Sequence, residues 1–159
     1  MRNRSCCFTG HRALPKDLIP EIKALLKSEI IMLIEKGYTD FYAGGALGFD
    51  TLAALSVLEL KKDYPHIKLH IIMPCADQTI KWNKADIALF ESIRESADEV
   101  VCLAPRYFNG CMMIRNRHMV DASSAVIAYL TEVNGGSAAT VKYASRKNVP
   151  VINIAEKLK

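Results

Sequence analysis

Two glycine-rich segments have the residue types of a phosphate-binding turn. The first is Gly44-Gly-Ala-Leu-Gly48, which follows an apolar run and leads into a helical pattern with Asp50 near its start. Glycine lets the backbone approach a ligand closely, and the free N–H groups of a following helix favour an anion. The segment matches neither the G-x-G-x-x-G fingerprint nor a Walker A loop. The same glycines would also allow tight strand-to-helix packing, with Asp50 as an ordinary first-turn acid, and the sequence leaves both interpretations open.

The second segment, Asn134-Gly-Gly-Ser-Ala-Ala-Thr140, also lies between an apolar run and a helical pattern. It adds the hydroxyls of Ser137 and Thr140, which can donate hydrogen bonds to phosphate oxygens. The alternative is a flexible loop in which one of these hydroxyls caps the helix. Two glycine-pair turns at one edge of a sheet favour an anion site more strongly than either turn does alone.

Three further segments could complete such a site. Thr9-Gly-His-Arg12 follows the first apolar run, and Arg12 could pair in a bidentate manner with a phosphate, or with a nearby acid. Arg115 and Arg117 lie two positions apart, so on a helix they point in different directions and only one is expected to face a ligand. The sequence does not choose between them. Trp82 could stack on a base or pack against the helix that follows it.

No catalytic or metal-binding constellation accompanies these segments. Ser5 and Thr9 lie near His11 in the sequence, but no third member of a triad can be named. The five cysteines are odd in number and show no C-x-x-C spacing, which argues against both a disulfide framework and a zinc cage. His66 and His70 have a spacing that would suit a metal on a helix, but the residues around His70 have a strand pattern. We therefore predict no metal site.

Short strand-like runs alternate with helical patterns along the chain, and these elements must position the segments above. Strands are predicted at 5–9, 40–43, 67–73, 99–103, 124–129 and 149–154, and helices at 18–34, 51–60, 85–93, 115–122 and 137–146. Strands that are buried on both faces and alternate with helices are typical of a doubly wound sheet. We predict an α/β, Rossmann-like, mainly parallel sheet with helices on both faces, in a single domain over 1–159.

The predicted fold also indicates where a ligand would bind. In open α/β sheets, ligands bind outside the carboxyl ends of the strands, near the point where the strand order reverses. All the candidate segments follow predicted strands. We therefore expect them to converge at one edge of the sheet.

Size and composition limit the class of protein. A chain of 159 residues, with 50% hydrophobic and 24% charged residues, is typical of one soluble globular domain. No apolar run approaches the roughly 20 residues that span a bilayer, and the short apolar stretch after the basic start is not a signal peptide, so a cytoplasmic location is expected. The net charge of +4 is too diffuse to indicate a nucleic-acid binder and suits a small anionic ligand equally well. From the apolar content of so small a chain, we also expect a homo-oligomer.

The ordered set of motifs resembles the YpsA-like family of the SLOG superfamily, Rossmann-like proteins related to DprA and to the LOG ("lysine decarboxylase-like") proteins. The likeness covers nearly the whole chain and rests on Thr-Gly-His-Arg12, Gly-Gly-Ala-Leu-Gly-Phe-Asp50, Pro74 with Gln78 and Trp82, Arg-Asn-Arg-His-Met-Val-Asp121, and Gly-Gly-Ser-Ala-Ala-Thr-Val141. The resemblance implies a pocket at the sheet edge for a nucleotide or nucleotide-derived ligand, and Arg115 matches the family's arginine. A similar turn in DprA keeps single-stranded DNA binding as an alternative.

The resemblance to the LOG enzymes is incomplete in the segment that carries their chemistry. These enzymes release a base from a nucleoside monophosphate and carry Pro-Gly-Gly-x-Gly-Thr-x-x-Glu. Here the aligned stretch is Asn-Gly-Gly-Ser-Ala-Ala-Thr-Val-Lys142, which lacks the later glycine and places Lys142 where the glutamate falls. A glycosyl hydrolase needs a carboxylate to stabilise charge on the sugar or to activate water. The missing glutamate counts against this activity, although Asp50 or Asp121 could substitute for it.

We therefore expect a protein that binds a nucleotide or nucleotide-derived ligand at the carboxyl edge of the sheet, as a sensor or carrier. No cofactor or catalytic residue is assigned, and ADP-ribose, NAD or another nucleotide is the expected ligand. The alternatives are hydrolysis of a nucleotide N-glycosidic bond, as in a phosphoribohydrolase, and DprA-like binding of single-stranded DNA. The predicted ligand-binding residues are Thr9, Gly10, His11, Arg12, Gly44, Gly45, Gly48, Asp50, Trp82, Arg115, Gly135, Gly136, Ser137 and Thr140.

Overall fold

Six short strands alternate with five α-helices in the computed structural model, which describes residues 2–158. The strands are Ser5–Gly10 (β1), Asp40–Ala43 (β2), Lys68–Met73 (β3), Glu99–Cys102 (β4), Ala125–Tyr129 (β5) and Val151–Asn153 (β6). The α-helices are Ile19–Glu35 (α1), Phe49–Leu60 (α2), Lys84–Ser96 (α3), Cys111–Asp121 (α4) and Gly136–Arg146 (α5). Short 3-10 turns at 2–4, 16–18 and 154–157 complete the described chain.

The strands form one sheet in the order β4-β3-β2-β1-β5-β6, and every pair is parallel. The chain moves outward from β1 to β4 and then returns to place β5 on the other side of β1. The strand order therefore reverses between β1 and β5, which is where open α/β sheets bind ligands. The predicted parallel α/β fold is confirmed.

Side chains on the two faces of the sheet pack into separate apolar clusters. Cys6 and Phe8 of β1 point into the cluster that α1 and α2 cover, whereas Cys7, between them, points into the cluster that α4 and α5 cover. This alternation is the two-residue period of a strand, and it requires apolar residues at every position of a central strand. The predicted helices on both faces are therefore confirmed.

The expectation that every strand is buried on both faces is wrong for β4. This strand lies at the end of the sheet order and has only one neighbouring strand. Val100 is 36% exposed, and the Cys102 thiol is the one exposed cysteine of the five. An apolar run of four residues does not show whether a strand is central or at an edge, because that depends on the order of the strands.

All the predicted strands and helices are present, and most of their ends lie close to the predicted residues. The largest difference concerns α4, which was predicted to start at residue 115 but starts at Cys111, after Gly110 with a φ of 92°. Arg115 is therefore in the second turn of α4 rather than at its start. Among residues 2–158, no helix is long and apolar enough to cross a membrane.

Candidate ligand-binding cavity

A cavity of about 310 Å³ opens at the carboxyl edge of the sheet, between the end of β1 and the segment that leads from β5 into α5. We call it the first cavity. It is lined by Thr9, Gly10, His11, Arg12, Ala46, Asp50, Met112, Arg115, Asn116, Asn134, Gly135, Gly136 and Ser137. Four separate segments of the chain thus meet there, as the positional rule for open sheets requires.

The structure brings nine of the predicted residues together at the first cavity and leaves five outside its wall. Thr9, Gly10, His11, Arg12, Asp50, Arg115, Gly135, Gly136 and Ser137 line it, whereas Gly44, Gly45, Gly48, Trp82 and Thr140 do not. Sequence reasoning missed Ala46, Met112, Asn116 and Asn134. Met112 lies one turn before Arg115 on α4, and this helical spacing could have identified it once the start of α4 was known.

The first glycine segment allows close packing between elements. A Cβ atom on Gly44 would overlap the guanidinium of Arg115, and one on Gly48 would overlap the backbone carbonyls of His11 and Arg12. Gly48 also has a φ of 78°, which side-chain-bearing residues rarely adopt. The N–H of Phe49 at the start of α2 donates to the carbonyl of His11 over 3.1 Å. The glycines therefore bring β1, α2 and α4 close together behind the cavity wall.

Asp50 lies beneath this turn and is itself buried. Burial raises the pKa of its carboxyl from 3.8 to about 6, against the opposing effects of Arg115 and of hydrogen bonding from the backbone of Ala46 and Gly44. The backbone of the first glycine turn thus interacts with a carboxylate of the protein itself. Among the residues that line the first cavity, Asp50 is the one carboxylic acid.

Arg115 is 3% exposed and connects the turn to the cavity. Its Nη1 donates to the carbonyls of Gly44 and Ile72, and its Nε donates to Asn116 Oδ1 over 2.8 Å. Burial lowers its pKa, and the Asp50 carboxylate opposes that change. Arg115 therefore has a structural role as well as a place on the cavity wall.

Arg117 points elsewhere. Its guanidinium carbon lies 5.2 Å from the centre of the Tyr143 ring on α5, and its side chain is exposed. Helical geometry predicted that only one of the two arginines would face a ligand, and of the two only Arg115 lines the first cavity.

The first loop supplies an exposed cation and an imidazole. His11 Nε2 accepts a hydrogen bond from the N–H of Thr131 over 2.9 Å, and its ring contacts the Tyr129 ring edge to face. A ring that accepts at Nε2 carries its hydrogen on Nδ1. Arg12 is exposed and, among residues 2–158, forms no ion pair. Its charge is therefore available to an anion.

The second glycine segment leaves the start of α5 open. Gly135 precedes the helix with a φ of 103° and makes no side-chain cap, and a Cβ on Gly135 or Gly136 would meet no atom within 4 Å. The first N–H groups of a helix have no partners within it, and they favour an anion. Thr140 is buried, and its hydroxyl donates to the carbonyl of Gly136 over 2.8 Å, so it stabilises the first turn.

Trp82 lines a neighbouring cavity of about 610 Å³, which we call the second cavity. The indole ring packs edge to face against Phe90, with 5.8 Å between the ring centres. The two cavities share Arg12 and Met112 in their walls. Trp82 is therefore beside the first cavity but not in it.

Comparison with known proteins places these features in a family. The model of the YpsA family, described as the YspA SLOG family, matches residues 7–155. The UPF0398 protein of Halalkalibacterium halodurans is 32% identical over 121 residues, which are 75% of this chain and 64% of that protein. The UPF0398 protein of Brevibacillus brevis is 30% identical over 118 residues, which are 73% of this chain and 63% of that protein. The chain thus spans a little under two thirds of the length of these relatives.

Solved structures show the same fold. DNA processing protein A of Helicobacter pylori, whose structure concerns its binding of single-stranded DNA, has a TM-score of 0.67 at 18% identity, over 94% of this chain and 64% of that one. DNA processing protein A (DprA) of Streptococcus pneumoniae has a TM-score of 0.67 at 17% identity, over 94% of this chain and 49% of that one. The X-ray structure of TM1055 has a TM-score of 0.60 at 15% identity, over 99% of this chain and 80% of that one.

Proposed function

This chain belongs to the YpsA family of SLOG proteins, as its motifs predicted, and from the contents of the first cavity we propose that it binds a phosphate-bearing nucleotide or nucleotide-derived ligand there. ADP-ribose and NAD are the ligands of this class to test first. In this proposal the protein binds its ligand without converting it, and so acts as a sensor or carrier of that ligand.

One observation carries this proposal. The open N-terminus of α5 and the guanidinium groups of Arg12 and Arg115 line the same cavity. Backbone N–H groups at a helix start, together with arginine, are the groups that bind phosphate in proteins. The two arginines also differ in what they can contribute, because Arg12 is exposed and forms no ion pair with another described residue, whereas Arg115 already donates to buried carbonyls.

The phosphate is therefore expected at the start of α5, beside Gly135, Gly136 and Ser137. A cavity of about 310 Å³ lies at the small end of the usual range for ligand pockets, roughly 300–1,000 Å³. It can hold a phosphorylated sugar, and a larger ligand can extend past Arg12 into the second cavity, because Arg12 lines both.

Isothermal titration calorimetry with ADP-ribose, NAD and AMP tests the proposal. Arg12→Ala should weaken binding by about 1.5–3 kcal/mol, the usual loss for a hydrogen bond to a charged group. Arg117→Ala is the matched control, because it removes the same charge from an exposed position outside the cavity, and it should leave affinity nearly unchanged. Arg115→Ala is a poorer test, because it would leave the carbonyls of Gly44 and Ile72 without this donor. Failure of all three ligands to bind would end the proposal.

Hydrolysis of a nucleotide N-glycosidic bond is a second candidate, and the placement of Asp50 favours it. Asp50 lines the first cavity with a pKa of about 6, close to the value that suits a general base near neutral pH. The other carboxylate considered from the sequence, Asp121, accepts a hydrogen bond from the Tyr143 hydroxyl and does not line the cavity. Incubation with AMP or NAD, followed by chromatography for free base, separates the two functions. Binding without release of base would leave the sensor or carrier function alone.

A further inference from the structure

The second cavity continues the first along the carboxyl edge of the sheet. It measures about 610 Å³, roughly twice the volume of the first, and the two share Arg12 and Met112. Its walls come from the loop after β3 and the loop before α4, with Leu47 from the first glycine segment. A ligand whose phosphate lies at the start of α5 can therefore reach this cavity by passing Arg12.

The walls of the second cavity expose aromatic and apolar groups. Trp82, Tyr107 and Ile80 line it, and Tyr107 is 61% and Ile80 75% exposed. The Tyr107 loop is tied to the opposite wall, because the N–H of Tyr107 donates to Asp77 Oδ1 over 2.8 Å. Exposed aromatic side chains beside a cation suit a flat aromatic ring that carries a phosphate group elsewhere.

Gln78 adds a hydrogen-bonding requirement to this wall. Its Nε2 donates to the carbonyl of Gly45 over 3.2 Å, which sets the orientation of the amide, because the reverse orientation would bring two oxygen acceptors together. Its Oε1 is then buried and, among residues 2–158, has no donor. A buried acceptor without a partner is unfavourable, so an N–H group brought in by a ligand would satisfy it.

We propose that the second cavity is a base subsite for adenine, an aromatic ring that bears an exocyclic amine. Gln78 Oε1 accepts a hydrogen bond from that amine, and Trp82 and Tyr107 cover the ring. The inference rests on the proposed function, since the ligand's phosphate occupies the first cavity. It adds a specificity: a base with a carbonyl in place of the amine presents an acceptor to Gln78 Oε1 and should bind less tightly.

Trp82 provides a direct probe, because it is the one tryptophan in the chain. ADP should bind and change the tryptophan emission, whereas pyrophosphate should bind by calorimetry and leave the emission unchanged. If pyrophosphate binds and ADP binds no more tightly and leaves the emission unchanged, the base subsite is refuted while the phosphate site stands. If neither probe binds, both the subsite and the proposed function fail.

A comparison of ADP with IDP tests the role of Gln78, because these ligands differ by an amine and a carbonyl at one ring position. Wild-type protein should prefer ADP by about tenfold. Gln78→Met keeps the length of the side chain and removes the acceptor, so the preference should disappear in a variant whose circular dichroism spectrum is that of the wild type. Arg12→Ala serves as the control, because it should weaken ADP and IDP by the same factor and keep their ratio. Equal affinities of the wild type for ADP and IDP would overturn the proposal whether or not Gln78→Met folds.

Discussion

Replacing Asp50 by asparagine should change how the stability of this protein depends on pH. Asp50 is buried beneath the first glycine turn, and burial raises its pKa from 3.8 to about 6 even though Arg115 opposes the change. In the unfolded chain, the carboxyl regains its ordinary pKa. Between these two values, the folded protein keeps a proton on Asp50 that the unfolded chain has already released.

The sign and the size of the effect follow from this difference. Because the folded state binds more protons in this window, the free energy of unfolding falls as the pH rises through it. A pKa rise of about two, at about 1.36 kcal/mol per pKa unit, corresponds to about 3 kcal/mol. This contribution is fully present below pH 3.8 and is lost by the time the pH has risen above about 6.

Urea denaturation of the wild type and Asp50→Asn, followed by circular dichroism in steps from about pH 3 to pH 7, measures this contribution. The other titrating groups are common to both proteins, so the difference between the two free energies isolates Asp50. As the pH rises, the free energy of unfolding of the variant should increase by about 3 kcal/mol relative to that of the wild type. Parallel pH profiles for the two proteins would refute the reasoning, because they would mean that Asp50 has its ordinary pKa in the folded state.

Three further predictions use simple measurements. Gly44→Ala places a methyl group against the buried guanidinium of Arg115 and should lower the free energy of unfolding by about 1–3 kcal/mol. Gly136→Ala places its methyl group in open space, so the same urea denaturation assay should show a change of less than about 1 kcal/mol. Thr140→Val removes one hydrogen bond within α5 and should cost about 1 kcal/mol of stability without changing the affinity for ADP-ribose measured by calorimetry. A large loss of affinity there would show that the hydroxyl contacts the ligand. Titration of the native protein with a thiol reagent should label Cys102 alone, because the other four cysteines are buried, and a second reactive thiol would contradict the fold.

Local patterns in the sequence were sufficient for the fold because each strand and helix has its own signal. The run Asp40–Ala43 was predicted with its observed bounds, and the alternation of strands with helices indicated a parallel sheet. Parallel strands all end at the same edge, so the loops that follow them meet without any knowledge of the strand order. This is why nine of the predicted site residues line one cavity.

Contacts between distant segments account for what the sequence did not reveal. The exposure of β4 depends on its position at the end of the sheet, where it has only one neighbouring strand. Gln78 Oε1 has no donor within residues 2–158, and its orientation depends on the carbonyl of Gly45, which is 33 residues away in the chain. None of these features leaves a periodic pattern in its own segment.

The sequence by itself determined the family, the parallel α/β sheet and the edge at which the polar loops gather, because apolar periodicity and turn residues act over a few neighbouring positions. Only the tertiary structure decided which contacts each of those loops makes. It directs the backbone of the first glycine turn to the Asp50 carboxylate, places Arg115 rather than Arg117 at the cavity, and leaves the start of α5 open to an anion. The physical reason is that burial and pairing are set by groups far apart in the chain, such as Gly44 and Arg115, which are 71 positions apart.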